Sequence, residues 1–264
     1  MQKLLLSVIT VVKNDEENIQ KTIKSVINQK NINYEYIIID GDSKDDTLKK
    51  INKYKNKIHK IISEKDNGIY YAMNKGINLA KGDVIVFCNS GDVFYKDSLK
   101  KVVNLFKKFK YDFVFGTVIR NYKRGGKIHK HGFNFQRMLY NFDFATSHTT
   151  GFFLKKNVYK EIGLYDTQFK CSADYDLYYR LYKGKYKGGS TKKHEIIGNV
   201  ASGGYSSTFS FLDHITEESK IRLKNNQNFF VIIIIFVNAF IKKLFKTSFN
   251  FLIFKQFRYL VEEK

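Results

Sequence analysis

Short apolar runs recur along the first half of the chain, at Leu4–Val12, Tyr34–Asp40, Lys57–Ser63, Asp83–Cys88 and Asp112–Ile119. Each is rich in Ile, Val or Phe at consecutive positions, the pattern of strands covered on both faces. Between them apolar residues fall at helical spacing. Ile19, Ile23, Val26 and Ile27 share a face of Glu16–Gln29, and Ile69, Met73, Ile77 and Ala80 share a face of Ile69–Ala80. Asp45–Tyr54 and Lys96–Phe109 complete the helix candidates. Strand–helix alternation at this rhythm predicts a doubly wound α/β sheet.

Such sheets bind ligands beyond the carboxyl ends of their strands. Those ends carry "KNDEEN", "DGDSKDD", "EKDNG" and "NSGD" in turn, acidic and amide residues in an otherwise basic chain. Asn, Asp and Gly also belong in loops for conformational reasons alone, so the shared position is what gives the set weight.

The second half is less regular. "NYKRGGKIHKHG" predicts a hairpin or a loop, "ATSHTTGFFLKK" a strand entered from a polar turn, and "KKHEIIGNVASGGYSS" a strand ending in a double-glycine turn. "ADYDLYYRLYKG" predicts a helix with Leu177 and Leu181 on one face, and with Asp174 and Asp176 at its start, where the dipole favours carboxylates. From Phe229, "FFVIIIIFVNAFI" is thirteen residues without charge, and beyond it Lys and Arg interleave with Phe, Leu and Ile. Thirteen falls short of the roughly 20 residues that span a bilayer. Two readings fit: a helix lying in a membrane interface, or an ordinary core or oligomer helix. The division expected is a domain over residues 1–210 and a helical, basic, amphipathic tail over residues 211–264.

The chain has 264 residues, 43% apolar and 16% aromatic, which excludes a disordered chain. A net charge of +21 calls for an anionic partner: nucleic acid, a phosphorylated substrate or an acidic membrane face. Codon bias with a solvated surface is the main source expected for the lysines, since Pro and Trp are absent while Lys, Asn, Ile, Phe and Tyr abound. Helix-turn-helix, zinc and ribonucleoprotein motifs are missing, which argues against nucleic acid. Cys88 and Cys171 lie far apart without metal-type spacing, and the N-terminal stretch turns acidic too soon for a signal peptide. Reduced thiols and a cytoplasmic location are expected.

Four segments in order carry a resemblance: "SVITVVKNDEENI", "IIIDGDSKDDT", "EKDNGIYYAMNKGINLAKGDVIVFCNSGD" and "GLYDTQFKCSADYDLYYRL". Together they resemble the family 2 glycosyltransferases over Leu4 to Leu181, about two thirds of the chain. The resemblance implies the GT-A fold of nucleotide-diphospho-sugar transferases, a doubly wound, mixed but mainly parallel sheet, here with a helical C-terminal tail. It also implies an inverting transfer of a sugar from a nucleotide-sugar, of the UDP class, to a hydroxyl of a lipid-linked or surface-polysaccharide glycan; the tail adds the expectation of a peripheral place at the inner face of the cytoplasmic membrane.

By position in these motifs, Asp92 falls on the metal-binding element. There a divalent cation (Mn2+ or Mg2+) would neutralise the leaving diphosphate. Gly91 replaces an acid common there, and Asn89, water or phosphate is left to supply the missing oxygen. Asp40 falls where the family accepts the imide N–H of the base. Thr10 falls beside the base, and Asp66, Gly68 and Asn89 with the ribose and diphosphate. Asp42 and Ser43 are read as caps of the following helix, and Gly68 and Gly82 also suit plain turns. Tyr71 departs from a usual Asp. Asp174 falls on the general base, after Ala173 in place of an acid, with Asp176 as fallback. His148 is expected near the acceptor or as a satisfied core histidine, Arg180 paired with Asp176, and Ser202–Ser207 either on diphosphate or as a turn. The alternatives are a non-catalytic carbohydrate-binding relative, favoured by Gly91 and Tyr71, and a nucleotidyltransferase, for which a basic glycine-rich loop is missing.

Overall fold

The computed structural model describes residues 4–122, 126–140 and 148–262. The first half alternates as expected: β1 (Leu5–Val12), α1 (Ile19–Ile27), β2 (Asn33–Asp40), α2 (Thr47–Asn52), β3 (Lys60–Ser63), α3 (Ile69–Leu79) and β4 (Val84–Phe87). Then come β5 (Val93–Phe94), α4 (Ser98–Phe109), β6 (Phe113–Phe115), β7 (Thr117–Tyr122), β8 (Gly126–Lys130), α5 (Phe135–Tyr140), β9 (Phe152–Lys155) and α6 (Lys156–Ile162). The remainder is α7 (Ala173–Lys183), β10 (Gly188–Ser190), β11 (Ile196–Val200), α8 (Phe211–Lys224) and α9 (Phe229–Glu262).

The main sheet has seven strands in the order β10–β6–β9–β4–β1–β2–β3. Pairing is parallel except at β9, which runs antiparallel to both β4 and β6. Side chains alternate across it. Ile9, Val11, Ile37, Ile39, Ile85 and Phe87 join the core under α3, α6 and α7. Leu6, Val8, Val12, Tyr36, Ile38, Val84 and Val86 join the core under α1 and α4. Burial on both faces explains the unbroken apolar runs, and each such side chain contributes roughly 1.5–3 kcal/mol.

The expected strand Asp112–Ile119 is two strands in different sheets. β6 lies in the main sheet; β7 belongs to a second sheet ordered β5–β11–β7–β8. The chain changes sheets at Gly116, whose N–H bonds to the Gly151 carbonyl at 2.7 Å. A Cβ there would lie 2.2 Å from Ile197, so only glycine permits the approach. The β7–β8 hairpin realises the expected hairpin, apart from residues 123–125, which lie outside the described residues. The polar turn expected before β9 falls partly on residues 141–147, also outside them.

α8 is bonded to the body although the sequence groups it with the tail. Its Ile221 joins the core, and its buried Arg222 donates to the carbonyls of Leu139 and Met138 and lies 5.5 Å from the Tyr175 ring. α9 packs against α8, with Ile232 and Ile235 buried, and leaves Phe230 (73%) and Phe245 (71%) exposed. No helix among the described residues is long and apolar enough to cross a membrane.

Candidate active site

Parallel register brings the strand ends together: Val12 pairs with Asp40, and Asp40 with Ser63. Asp40 is fully buried, and its carboxylate accepts from the Ser43 hydroxyl (2.5 Å), the Ser43 N–H (3.1 Å) and the Ser63 hydroxyl (2.7 Å). Ser43 therefore serves Asp40 rather than capping a helix, and α2 opens at Asp46 instead. Asp42, with φ +60°, pairs with Lys44 at the surface. Thr10 is buried within β1. Its hydroxyl donates to the Cys88 carbonyl at 2.7 Å and lies 3.0 Å from the Tyr36 hydroxyl, tying β1 to its neighbours β2 and β4.

Asp66 pairs with Lys75 at 2.7 Å through one oxygen, while the other is buried with no hydrogen-bond partner among the described residues. The buried Oδ1 of Asn89 is in the same position. Gly68 opens α3 at φ +131° in open space, the backbone of a turn that favours glycine. Asp66 and Asn89, which follow β3 and β4, thus each keep an acceptor oxygen without a partner among the described residues.

Asp92 is nearly buried, and both its oxygens are taken. Oδ2 accepts the Thr150 hydroxyl proton, and Oδ1 accepts the Ala201 N–H at 2.8 Å. Burial pushes its carboxyl up to about 6, against the pull of those two donors. The residues do not fit a divalent cation held by Asp92. Its oxygens face Thr150 and Ala201, Gly91 offers no ligand atom, and the neighbouring Asp15 accepts from Ser90 and Asn18 at 2.6 Å each. Among the described residues no three His, Cys, Asp or Glu side chains gather as a cation site. Asp92 reads as a clamp joining β4, the 149–151 turn and the end of β11.

Asp174 sits in the first turn of α7. Its Oδ1 accepts the Tyr175 N–H at 3.0 Å and a long bond from the Tyr70 hydroxyl at 3.4 Å. Burial pushes its carboxyl up to about 6, with the Tyr175 and Asp174 amides, Tyr70 and His214 opposing. Tyr70 stacks on Tyr165 at 5.5 Å, and Tyr165 meets Phe87, the last residue of β4, edge-on at 6.0 Å. A second path runs from Asp92 through Thr150 to Thr149, whose hydroxyl adjoins the Tyr178 phenol in the field of Asp174. Two chains of contacts thus connect the surroundings of the two acids.

His148 caps the 149–151 turn, its Nδ1 accepting the Thr150 N–H at 3.4 Å. Burial, with Arg120 and Lys130 nearby, pushes its imidazole down to about 3, so it is neutral at physiological pH. Asp176 is fully buried and paired with Arg180 at 2.8 Å, as the spacing predicts. Arg180 also binds the carbonyls of Ile162, Gly163 and Leu164, which makes Asp176 an anchor rather than a base. Ser202–Ser207 leads into a short turn at Tyr205–Thr208, where the Ser206 carbonyl meets His214 at 3.1 Å. Sequence reasoning missed Tyr70, Thr150 and His214. Tyr70 lay inside a quoted motif, beside the exposed Tyr71 that drew notice instead.

A profile of glycosyl transferase family 2 matches residues 7–169, more than half of the chain, and the chain belongs to that family. It is 27% identical over 168 residues to a PGL/p-HBAD biosynthesis glycosyltransferase of Mycobacterium bovis, covering 61% of this chain and 62% of the relative. The chain thus spans 62% of the length of that curated relative. A putative teichuronic acid biosynthesis glycosyltransferase of Bacillus subtilis, TuaG, is 36% identical over 102 residues, 38% of this chain and 40% of the relative. Among solved structures, S. aureus TarS 1–349 in complex with UDP-GlcNAc superposes with a TM-score of 0.67 at 18% identity, over 86% of this chain and 68% of that one. The mannosyltransferase PcManGT of Pyrobaculum calidifontis, in complex with GDP-Man and Mn2+, gives 0.63 at 14%, over 83% and 65%. At these identities the structural likeness shows the GT-A fold alone.

Proposed function

We propose that the chain transfers a sugar from a nucleotide-diphospho-sugar, of the UDP class, to a hydroxyl of a surface-polysaccharide or lipid-linked acceptor, with inversion. Asp174 is the observation that carries this reading. It is an acid at the start of a helix, raised to about 6, with one firm N–H bond and one long hydroxyl bond. Such a group is ionised at neutral pH yet basic enough to accept a proton. The acceptor hydroxyl gives its proton to Asp174. Its oxygen forms a bond to the anomeric carbon from the face opposite the leaving group, and the bond from that carbon to the diphosphate oxygen breaks, releasing the nucleoside diphosphate.

Asp66 and Asn89, each with a free acceptor oxygen, line the donor side and receive ribose hydroxyls. Asp40 meets the base once Ser43 gives way. Neutral His148 caps the Thr149–Thr150 turn, which links Asp92 to the Tyr178 phenol in the field of Asp174. Family membership supports the reaction class, and the printed names of relatives, which concern teichuronic acid and PGL biosynthesis, support a glycan acceptor. The GT-A enzymes' divalent cation would supply charge neutralisation at the diphosphate, but the residues here give it no fitting ligand set. α9 supports attachment to the inner face of the cytoplasmic membrane, with its apolar side exposed and Lys242 and Lys243 beside it.

The test is a panel of nucleotide-sugars, read by nucleoside diphosphate release, with titration calorimetry of UDP alongside. Release from one UDP-sugar, increased by a glycan acceptor, is expected. UDP binding without release from any donor would favour a non-catalytic relative, and no nucleotide binding at all would overturn both readings.

A further inference from the structure

We infer that Glu217, on α8, is the positioning residue for Asp174, an inference that rests on the proposed role of Asp174 as the base. The carboxylate of Glu217 accepts three consecutive backbone N–H groups. Lys170 donates to Oε1 at 2.7 Å, and Cys171 and Ser172 donate to Oε2 at 2.9 Å each. The Cys171 thiol adds a fourth contact at 3.2 Å. Ser172 is the residue from which α7 starts, two positions before Asp174.

A helix start leaves several N–H groups without intrahelical partners, and a serine there ordinarily caps one of them with its own hydroxyl. Among the described residues Ser172 makes no such capping bond. The anchor is supplied instead by a carboxylate 45 residues further along the chain. It gathers the whole 170–172 turn, with charge-assisted bonds about twice as strong as neutral ones.

The consequence is specific to Asp174. Its own contacts are the Tyr175 N–H, fixed only if α7 starts where it does, and the Tyr70 hydroxyl, already long at 3.4 Å. A small rotation of the turn breaks the second and misdirects the first. The charge of Glu217 also reaches Tyr70. Burial and Asp174 hold that phenol well above its usual range and Glu217 adds to them, which keeps it protonated as a donor. α8 is a rigid carrier for such a group. A reciprocal capping box of Ser210 and Asp213 fixes its start, Ile215 and Ile221 are buried, and Arg222 ties it to the carbonyls of α5.

The experiment compares Glu217→Ala and Glu217→Gln by steady-state kinetics and by residue-resolved amide hydrogen exchange. In Glu217→Ala, kcat falls roughly tenfold to a hundredfold, the scale of an ångström's misplacement. The donor KM stays within about twofold, since Glu217 touches nothing on the donor side. Glu217→Gln keeps one acceptor oxygen, folds with the same shape, and recovers part of kcat. Exchange quickens at Lys170, Cys171 and Ser172 and also at Tyr175, while β1 amides stay protected. Unchanged protection of Tyr175 in both variants would overturn the inference, and this holds even if no donor supports turnover. A kcat unaltered in Glu217→Ala would overturn it too, as would a parallel rise in donor KM, which marks general loosening. Failure of the reaction itself appears separately, as wild-type protein without turnover.

Discussion

Asp92 and Asp174 have carboxyls raised to the same value, about 6, and the same leading cause, burial. Their surroundings make them opposites. Asp92 gives each oxygen to a protein donor, the Thr150 hydroxyl and the Ala201 N–H, and holds three segments together. Asp174 gives one oxygen to a neighbouring N–H and a long-range phenol, and faces tyrosines and His214 rather than closed bonds. A raised carboxyl alone does not mark a catalytic acid; the number of firm donors around it decides whether it is a joint or a reagent. The same contrast separates Asp40, closed by Ser43 and Ser63, from Asp66, which keeps one oxygen unused.

The sharpest test of that contrast is Asp174→Asn. The amide oxygen still accepts from Tyr175 and Tyr70, so the fold and nucleotide affinity hold, while a group that cannot take a proton lowers turnover by roughly 10²–10⁴-fold. In the wild type, kcat/KM should rise about tenfold per pH unit below pH 6 and level above it, because the base must be ionised. His214→Gln is the control, as His214 is the imidazole whose electrostatic influence reaches the Asp174 carboxyl. A profile flat from pH 5 to 8 would make Asp174 a joint like Asp92.

Asp92 should answer in stability. Asp92→Ala strands the Ala201 N–H and the Thr150 hydroxyl, at a cost of roughly 1–3 kcal/mol for each group left unpaired, measured by urea unfolding. Asp92→Asn can accept from Ala201 and donate to Thr150, so it costs far less. The pH dependence has a fixed sign. The folded carboxyl, near 6, binds its proton more tightly than the unfolded one, near 3.8. The contribution is therefore full below about pH 4 and is lost as pH rises through 6, and Asp92→Asn should remove that fall. A variant Asp92→Ala as stable as wild type would show that Asp92 is not a joint.

Much of this contrast was hidden in the sequence for physical reasons. Parallel pairing puts strand ends on one edge, so the positions of Asp40 and Asp92 could be read from apolar runs alone. What each oxygen bonds to could not, because Thr150 and Ala201 arrive from 58 and 109 residues away. Ser43 looked like a cap by spacing, yet it turns back to Asp40. "FVFGTVI" reads as one strand; its break depends on Ile197 packing over Gly116. α6 escaped because seven residues with Val158 and Tyr159 buried carry too little period. Glu217 sits in "TEES", which has no local sign of the turn it holds.

Chelation probes the donor side more gently. With Asp92 closed and Gly91 beside it, UDP affinity by titration calorimetry should change by less than about twofold between EDTA and added manganese. A tenfold loss in EDTA would mean that Asp92 leaves Thr150 when nucleotide arrives, and the comparison with Asp174 would then hold only for the empty site.

The smallest effect on the chemistry should come from ending the chain at Asn228. α8 keeps its capping box, its buried Ile221 and the Glu217 contacts, none of which draws on α9. What is lost is the exposed face of Phe230, Ile234, Val237, Ile241 and Phe245, with Lys242 and Lys243 at its far end. Such a face adds apolar insertion to attraction for anionic headgroups, each lysine near the surface contributing about 1 kcal/mol. The shortened chain should lose most of its partition into vesicles rich in anionic lipid, measured by sedimentation, while turnover on a water-soluble acceptor stays within about twofold. Equal partition of both forms would remove α9 from the membrane. A collapse of turnover with UDP affinity intact would instead show that α9 supports the base through α8.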